Sequence, residues 1–185
     1  MRMWMVALAA TVLSAIAIQA AETPTNAEIR QQFYQATNDI RRAVDKMPEA
    51  NFDFKPTPTM RSFRELVAHV AEVQNQLCSA VFNDRKARFA APKTTAKADL
   101  AAVLGSSFTE CYQAFAELSP DNAAAKVSTP FGEQTRLGAL VAIVAHNNEE
   151  YGYMAVYLRL KGIVPPSSDP QSAKDVKETT APAKK

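Results

Sequence analysis

An all-α domain, built as a bundle of four amphipathic helices, is the fold class this 185-residue sequence predicts. Three observations carry the prediction. Apolar residues recur at helical spacing in four separate segments. Five glycines are too few for a turn-rich β fold. Hydrophobic residues at 47% and charged residues at 22% match an ordinary globular chain of one domain. With Lys+Arg 21 against Asp+Glu 19 the net charge is +2, so no basic field exists for nucleic acid to exploit.

Residues 1–21 read as a cleaved signal peptide: Arg2 supplies a positive start, an apolar run extends from Met3 to Ile18, and Ala20 and Ala21 offer a small-residue cleavage site. The rival reading is an uncleaved anchor, for which the run is short against a ~30 Å hydrocarbon core. No Cys follows the run, which disfavours a lipoprotein anchor. Cleavage removes Trp4, the only tryptophan. The expected location is periplasmic or secreted, with no membrane attachment after cleavage. Export gives meaning to Cys78 and Cys111, which form either a disulfide or two buried thiols.

The first helix is expected from Thr25, with Thr25 and Glu28 as a capping box, to just before Pro48. Its inward residues are Ile29, Phe33, Ile40, Val44 and Met47. An extended link over 51–60, held by Pro56 and Pro58, leads to the second helix. That helix starts at a second capping box, Ser62 and Glu65, and carries the stripe Phe63, Leu66, Val70, Val73, Leu77 and Val81. Residues 83–96 are charged and small, and long enough to cross the bundle. The third helix runs from about Lys97 to Leu118, with Leu100, Leu104, Cys111, Phe115 and Leu118 inward. Residues 127–134 form a short hairpin or loop. The fourth and longest helix spans Thr135 to Lys161, ended by Gly162 and the Pro165-Pro166 pair. The domain thus covers 22–165, and 166–185, without an aromatic residue, reads as a disordered tail.

Two histidines limit the chemistry. His69 sits beside the Leu66 and Val70 stripe. His146 follows Leu137–Ala145, an apolar run that reads as buried almost all round. Glu150 shares a helical face with His146. The three make a two-imidazole, one-carboxylate set suited to Zn, Ni, Mn or Fe, with open positions for water or substrate. The competing reading makes each a structural hydrogen-bonding group.

Pro56-x-Pro58-x-Met60-Arg61-Ser62-Phe63-Arg64-Glu65-Leu66-Val67-Ala68-His69-Val70-Ala71 resembles the second-helix motif of the DinB superfamily. His146-Asn-Asn-Glu-Glu-Tyr-Gly152, followed by the 157–166 segment, resembles its fourth-helix motif. The resemblance extends from Thr25 to Ser168. It implies an up-down-down-up four-helix bundle, with 83–96 as the crossover, and a divalent metal held by three histidines. Some relatives transfer low-molecular-weight thiols or catalyse isomerisation or hydrolysis. Carried across, His69 and His146 match two ligands, and Glu150 falls where the family usually has histidine. Tyr153 stands where a glutamine often follows the glycine. Tyr153 and Glu149 are then candidates to support the ligands from behind or line a pocket, against plainer readings as a half-buried aromatic and a solvated charge. Arg61 and Arg159 are motif positions that suit capping or ion pairing. The implied topology makes helices two and three parallel, so Cys78 and Cys111 stand at similar heights and are expected to bond.

The resulting expectation is an exported, divalent-metal-dependent enzyme acting on a small molecule, of hydrolase or thiol-transferase type. The alternative is a non-catalytic binding or scaffold bundle that lost the three-histidine site. A homodimer follows by family analogy only.

Overall fold

The computed structural model describes residues 24–81 and 96–170. It contains α1 (Pro24–Lys46), α2 (Phe63–Ala80), α3 (Lys97–Glu117) and α4 (Arg136–Leu160). Between α3 and α4 lies an antiparallel hairpin of β1 (Lys126–Thr129) and β2 (Gly132–Thr135), with Val127 paired to Gln134. Contacts at the helix ends set the directions. The Lys97 ammonium at the start of α3 donates to the Asp45 and Met47 carbonyls at the end of α1. Phe33, early in α1, packs on Phe115, late in α3, at 4.7 Å. Arg136 at the start of α4 donates to the Val81 carbonyl after α2. Lys46 reaches the Val164 carbonyl and the Asp169 carboxylate beyond α4. The order is therefore up-down-down-up, with α2 and α3 parallel. A Cys78–Cys111 disulfide joins these two helices, with Cα atoms 5.1 Å apart. The expected signal peptide and all of the 83–96 crossover but Ala96 lie outside the described residues.

Local chemistry explains most boundaries. The Ser62 hydroxyl accepts from the Glu65 amide while the Glu65 carboxylate accepts from the Ser62 amide, closing the predicted capping box of α2. Thr135 caps α4 through the Gly138 amide at 2.9 Å. Gly162 ends that helix at φ +71°, a left-handed conformation that suits glycine.

Four expectations are corrected. Thr25 is already helical, so it does not cap α1 with Glu28. The 51–60 link is not extended: backbone bonds from Phe52 to Glu49, Phe54 to Asn51 and Met60 to Thr57 fold it into successive turns. The turns drive Phe52 into the end of the bundle, fully buried and edge-on to Phe63 at 5.2 Å. The 137–145 run is not buried all round, since Val141 is 44% exposed on the outer face of α4. The first residues placed in the tail, Pro166–Ser168, instead form a 3-10 turn, with Pro166 buried and Ser167 bonded to Tyr151.

The core has two apolar clusters. One gathers Ile40, Phe52, Phe63, Val70, Leu104 and Met154, and the other Phe33, Leu77, Phe115, Leu140 and Ile143. Along each helix they are separated by buried polar residues: Thr37 on α1, Gln74 and Asn75 on α2, Ser107 and Glu110 on α3, Asn147 and Glu150 on α4. The bundle thus has a polar waist. Among the described residues no helix is long and apolar enough to cross a membrane.

Candidate metal centre

The waist opens toward the α2–α4 seam. Helix α2 turns Leu66, Val67, Val70 and Val73 inward, which leaves His69 at the edge of that face, 25% exposed. Helix α4 runs antiparallel to α2 and presents His146 and Glu150 one turn apart. Side chains from distant parts of the sequence therefore meet. His69 Nε2 lies 3.3 Å from His146 Nε2, and each is 3.5 Å from Glu150 Oε1. Three ligands of a four-coordinate ion with bonds of ~2.0–2.1 Å stand ~3.3–3.4 Å apart, so the triangle is the size a tetrahedral cation such as zinc requires.

Electrostatics favour the same use. Burial pushes His146 down to about 4, and the neighbouring His69 adds to the shift. His69 is also lowered, first by burial and then by the Arg61 charge. Both imidazoles are thus neutral donors at neutral pH. Burial raises Glu150, with Glu149 adding to it and Arg61 opposing. Glu150 is 4% exposed, and its second oxygen is buried without a hydrogen-bond partner. A buried carboxylate so placed is costly unless a cation faces it or a proton neutralises it.

The other named residues divide. Tyr153 is 43% exposed and donates to Glu149 at 3.2 Å, so these two form an exposed pair. They do not hold His146, whose Nδ1 is buried with no partner. The adjacent Asn147 amide lies near enough to oppose the pKa shift but makes no bond of good geometry to that nitrogen. Arg159 donates to Ser168 at 3.0 Å, away from the trio. Arg61 acts electrostatically on all three candidate ligands. Sequence reading missed the buried amides Gln74 and Asn147. Their signal was legible, because each follows an inward apolar residue, Val70 or Ile143, by four positions and so falls on the buried face.

A four-helix bundle that brings two imidazoles and a carboxylate together from antiparallel helices belongs to the class of bundle proteins with a metal-competent donor set between helices. The comparisons with known proteins narrow that class. The family model for the DinB superfamily matches residues 32–154, and the chain belongs to this superfamily. Its fold is similar to a DinB-like protein from Bacillus cereus ATCC 10987, at 17% identity and TM-score 0.60, covering 75% of this chain and 93% of that one. A protein described as of the DinB family from Exiguobacterium sibiricum 255-15 is similar at 19% identity and TM-score 0.61, covering 77% and 95%. A DinB-like protein from Bacillus subtilis gives 17% identity and TM-score 0.59, covering 73% and 92%. No functionally curated protein matches the chain.

Proposed function

We propose that this DinB-superfamily chain is an exported metalloprotein. His69, His146 and Glu150 would hold one divalent cation, Zn, Ni, Mn or Fe, and the centre acts on a small molecule by hydrolysis or thiol transfer. The observation that carries the reading is the convergence of three donor atoms at 3.3–3.5 Å in a half-buried seam. When bound, such an ion supplies a Lewis acid that lowers the pKa of a water or thiol. The chain's own groups do the rest. The two imidazoles present neutral Nε2 atoms, and Glu150 presents an anionic oxygen from a wall that excludes most water. A carboxylate in place of a third imidazole lowers the net charge of the centre. That suits an easily ionised nucleophile, such as a thiol, better than water. Export is supported by the Arg2-to-Ala21 layout and by the buried Cys78–Cys111 bond, a feature of oxidising compartments.

A second reading, a non-catalytic binding bundle, has its own support. The His146 and His69 Nε2 atoms can share a hydrogen bond, and a protonated Glu150 beside them would leave the trio neutral. Metal content separates the two. Protein exported to the periplasm is expected to retain about one equivalent of metal, lost in His146→Ala. A wild-type protein that stays metal-free after reconstitution with Zn, Ni, Mn and Fe(II) is the binding bundle.

A further inference from the structure

Gly162 turns the chain out of α4, and the Ile163 amide donates back to the Leu158 carbonyl at 2.9 Å. Pro165, at φ −62° and ψ 151°, then carries the backbone onward in extended form. The 3-10 turn Pro166–Ser168 brings it back, and Arg159 in the last turn of α4 donates to the Ser168 hydroxyl at 3.0 Å. The loop so formed borders an open cavity of about 280 Å³, lined by Arg159, Gly162, Ile163, Val164, Pro165 and Ser168. All six residues lie beyond residue 154, where the match to the family model ends. Arg159 stands nine residues past Glu150 on α4, about 13 Å further along the axis at ~1.5 Å per residue. The cavity is therefore a second place on the molecule, apart from the trio.

Its walls are held from outside. Lys46 donates to the Val164 carbonyl at 3.1 Å and pairs with Asp169 at 2.6 Å. The Tyr151 hydroxyl donates to the Ser167 hydroxyl and accepts from the Ser167 amide. Pro165 and Pro166 stiffen the backbone between these ties. A ligand entering the cavity thus has little chain left to order, which favours binding. Charge in the neighbourhood is unevenly matched. Asp169 neutralises Lys46, and the Lys161 ammonium sits over the Phe54 ring at 3.7 Å. The Arg159 guanidinium has only the neutral Ser168 hydroxyl as a hydrogen-bond partner among the described residues, so most of its five donors are unused. Beside it Ile163, Val164 and Pro165 present apolar walls, with Val164 53% exposed. A planar donor fork fits the two oxygens of a carboxylate, and apolar walls fit a hydrocarbon body.

We infer that the cavity past the end of α4 is a binding site for a small carboxylate with an apolar body. The carboxylate lies against the Arg159 guanidinium, and the hydrocarbon covers Ile163 and Val164. Inorganic phosphate fits less well, because one guanidinium balances only part of its charge and apolar walls leave its other oxygens unpaired. The volume falls just below the ~300–1,000 Å³ of pockets for drug-sized ligands, so an acid of a few carbons is the class that fits. The site needs no metal at the trio, so it stands or falls apart from the metal reading above.

The test follows the backbone amides of Gly162, Ile163, Val164 and Ser168 by NMR in isotope-labelled mature protein as hexanoate, hexanol or inorganic phosphate is added. Hexanoate is expected to shift these amides to saturation, with hexanol and phosphate each binding about tenfold more weakly or less. Arg159→Gln should weaken hexanoate by about tenfold and leave hexanol unchanged, since it removes the fork and keeps the walls. Val164→Ser should weaken both. The loop stays tied by Tyr151, Lys46 and the buried Pro166 in either variant, and unshifted amides elsewhere in the bundle check this. Hexanoate that moves none of the four amides overturns the inference, as does an Arg159→Gln protein that binds it as well as wild type. Equal binding of hexanol marks a plain apolar crevice, and equal binding of phosphate a bare anion site; each also overturns it.

Discussion

At position 150 a carboxyl group occupies a buried seam between two imidazoles, and the three titrations pull in different directions. Glu150 is raised by burial, so the folded chain keeps a proton that the unfolded chain has released. Its contribution is present at low pH and fades as pH rises through the folded value. His146 is held near 4 against an ordinary value of 6.5, so between those values the unfolded chain takes up a proton that the folded chain refuses. Stability is therefore lost as pH falls through this window, by up to about 3 kcal/mol at ~1.4 kcal/mol per unit. Metal-free Glu150→Gln removes the opposing carboxyl. Its urea unfolding free energy should fall from pH 7 to pH 4.5, and adding His146→Gln should flatten the curve. Equal slopes in the single and double variants would contradict the assigned cause. The identities of His69, His146 and Glu150 as candidate ligands were legible in the sequence. Their separation was not, because helical spacing places His146 over Glu150 but says nothing of the gap to α2.

Each helix was readable where its two determinants, an apolar stripe and an end signal, agree. Ser62 with Glu65 starts α2, and Gly162 stops α4. An apolar stripe alone sufficed for α3, whose start has no side-chain cap, but an end signal or a proline standing alone misled. Thr25 and Glu28 have the spacing of a cap, yet the helix includes Thr25. Pro56 and Pro58 argue for an extended link, but burying Phe52 and closing backbone hydrogen bonds favours turns there. The bond between α2 and α3 makes a prediction at this scale. Cys78 and Cys111 are 33 residues apart, and closing a loop of this size restricts the unfolded chain by about 3–4 kcal/mol. The paired Cys78→Ala, Cys111→Ala variant should lose roughly that amount in urea unfolding, with a helical circular-dichroism spectrum unchanged at low denaturant. A loss below ~1 kcal/mol would show that the unfolded chain is already restrained.

Across the whole molecule, the two apolar clusters supply the driving force and the polar waist works against it. Gln74 and Asn147 are fully buried, and neither amide nitrogen nor oxygen of either side chain has a hydrogen-bond partner. An amide buried in this way costs ~1–3 kcal/mol, so Gln74→Met should raise stability by about 1–2 kcal/mol. A fall instead would mean that the amide serves the site. The waist shares its level of the bundle with the His69–His146–Glu150 trio, so the buried polar groups that oppose folding gather in one layer. By itself the sequence determined the four helices, their main ends and the residue types able to bind a metal, because these follow from local periodicity, capping chemistry and side-chain identity; the Cys78–Cys111 bond is expected only from the topology that the family resemblance implies. Only the tertiary structure decided that His69 reaches His146 and Glu150 at bonding scale and that Gln74 and Asn147 are sealed inside. Those depend on how far apart packed helices stand and how they are rotated about their axes, and no single helix's pattern encodes either quantity.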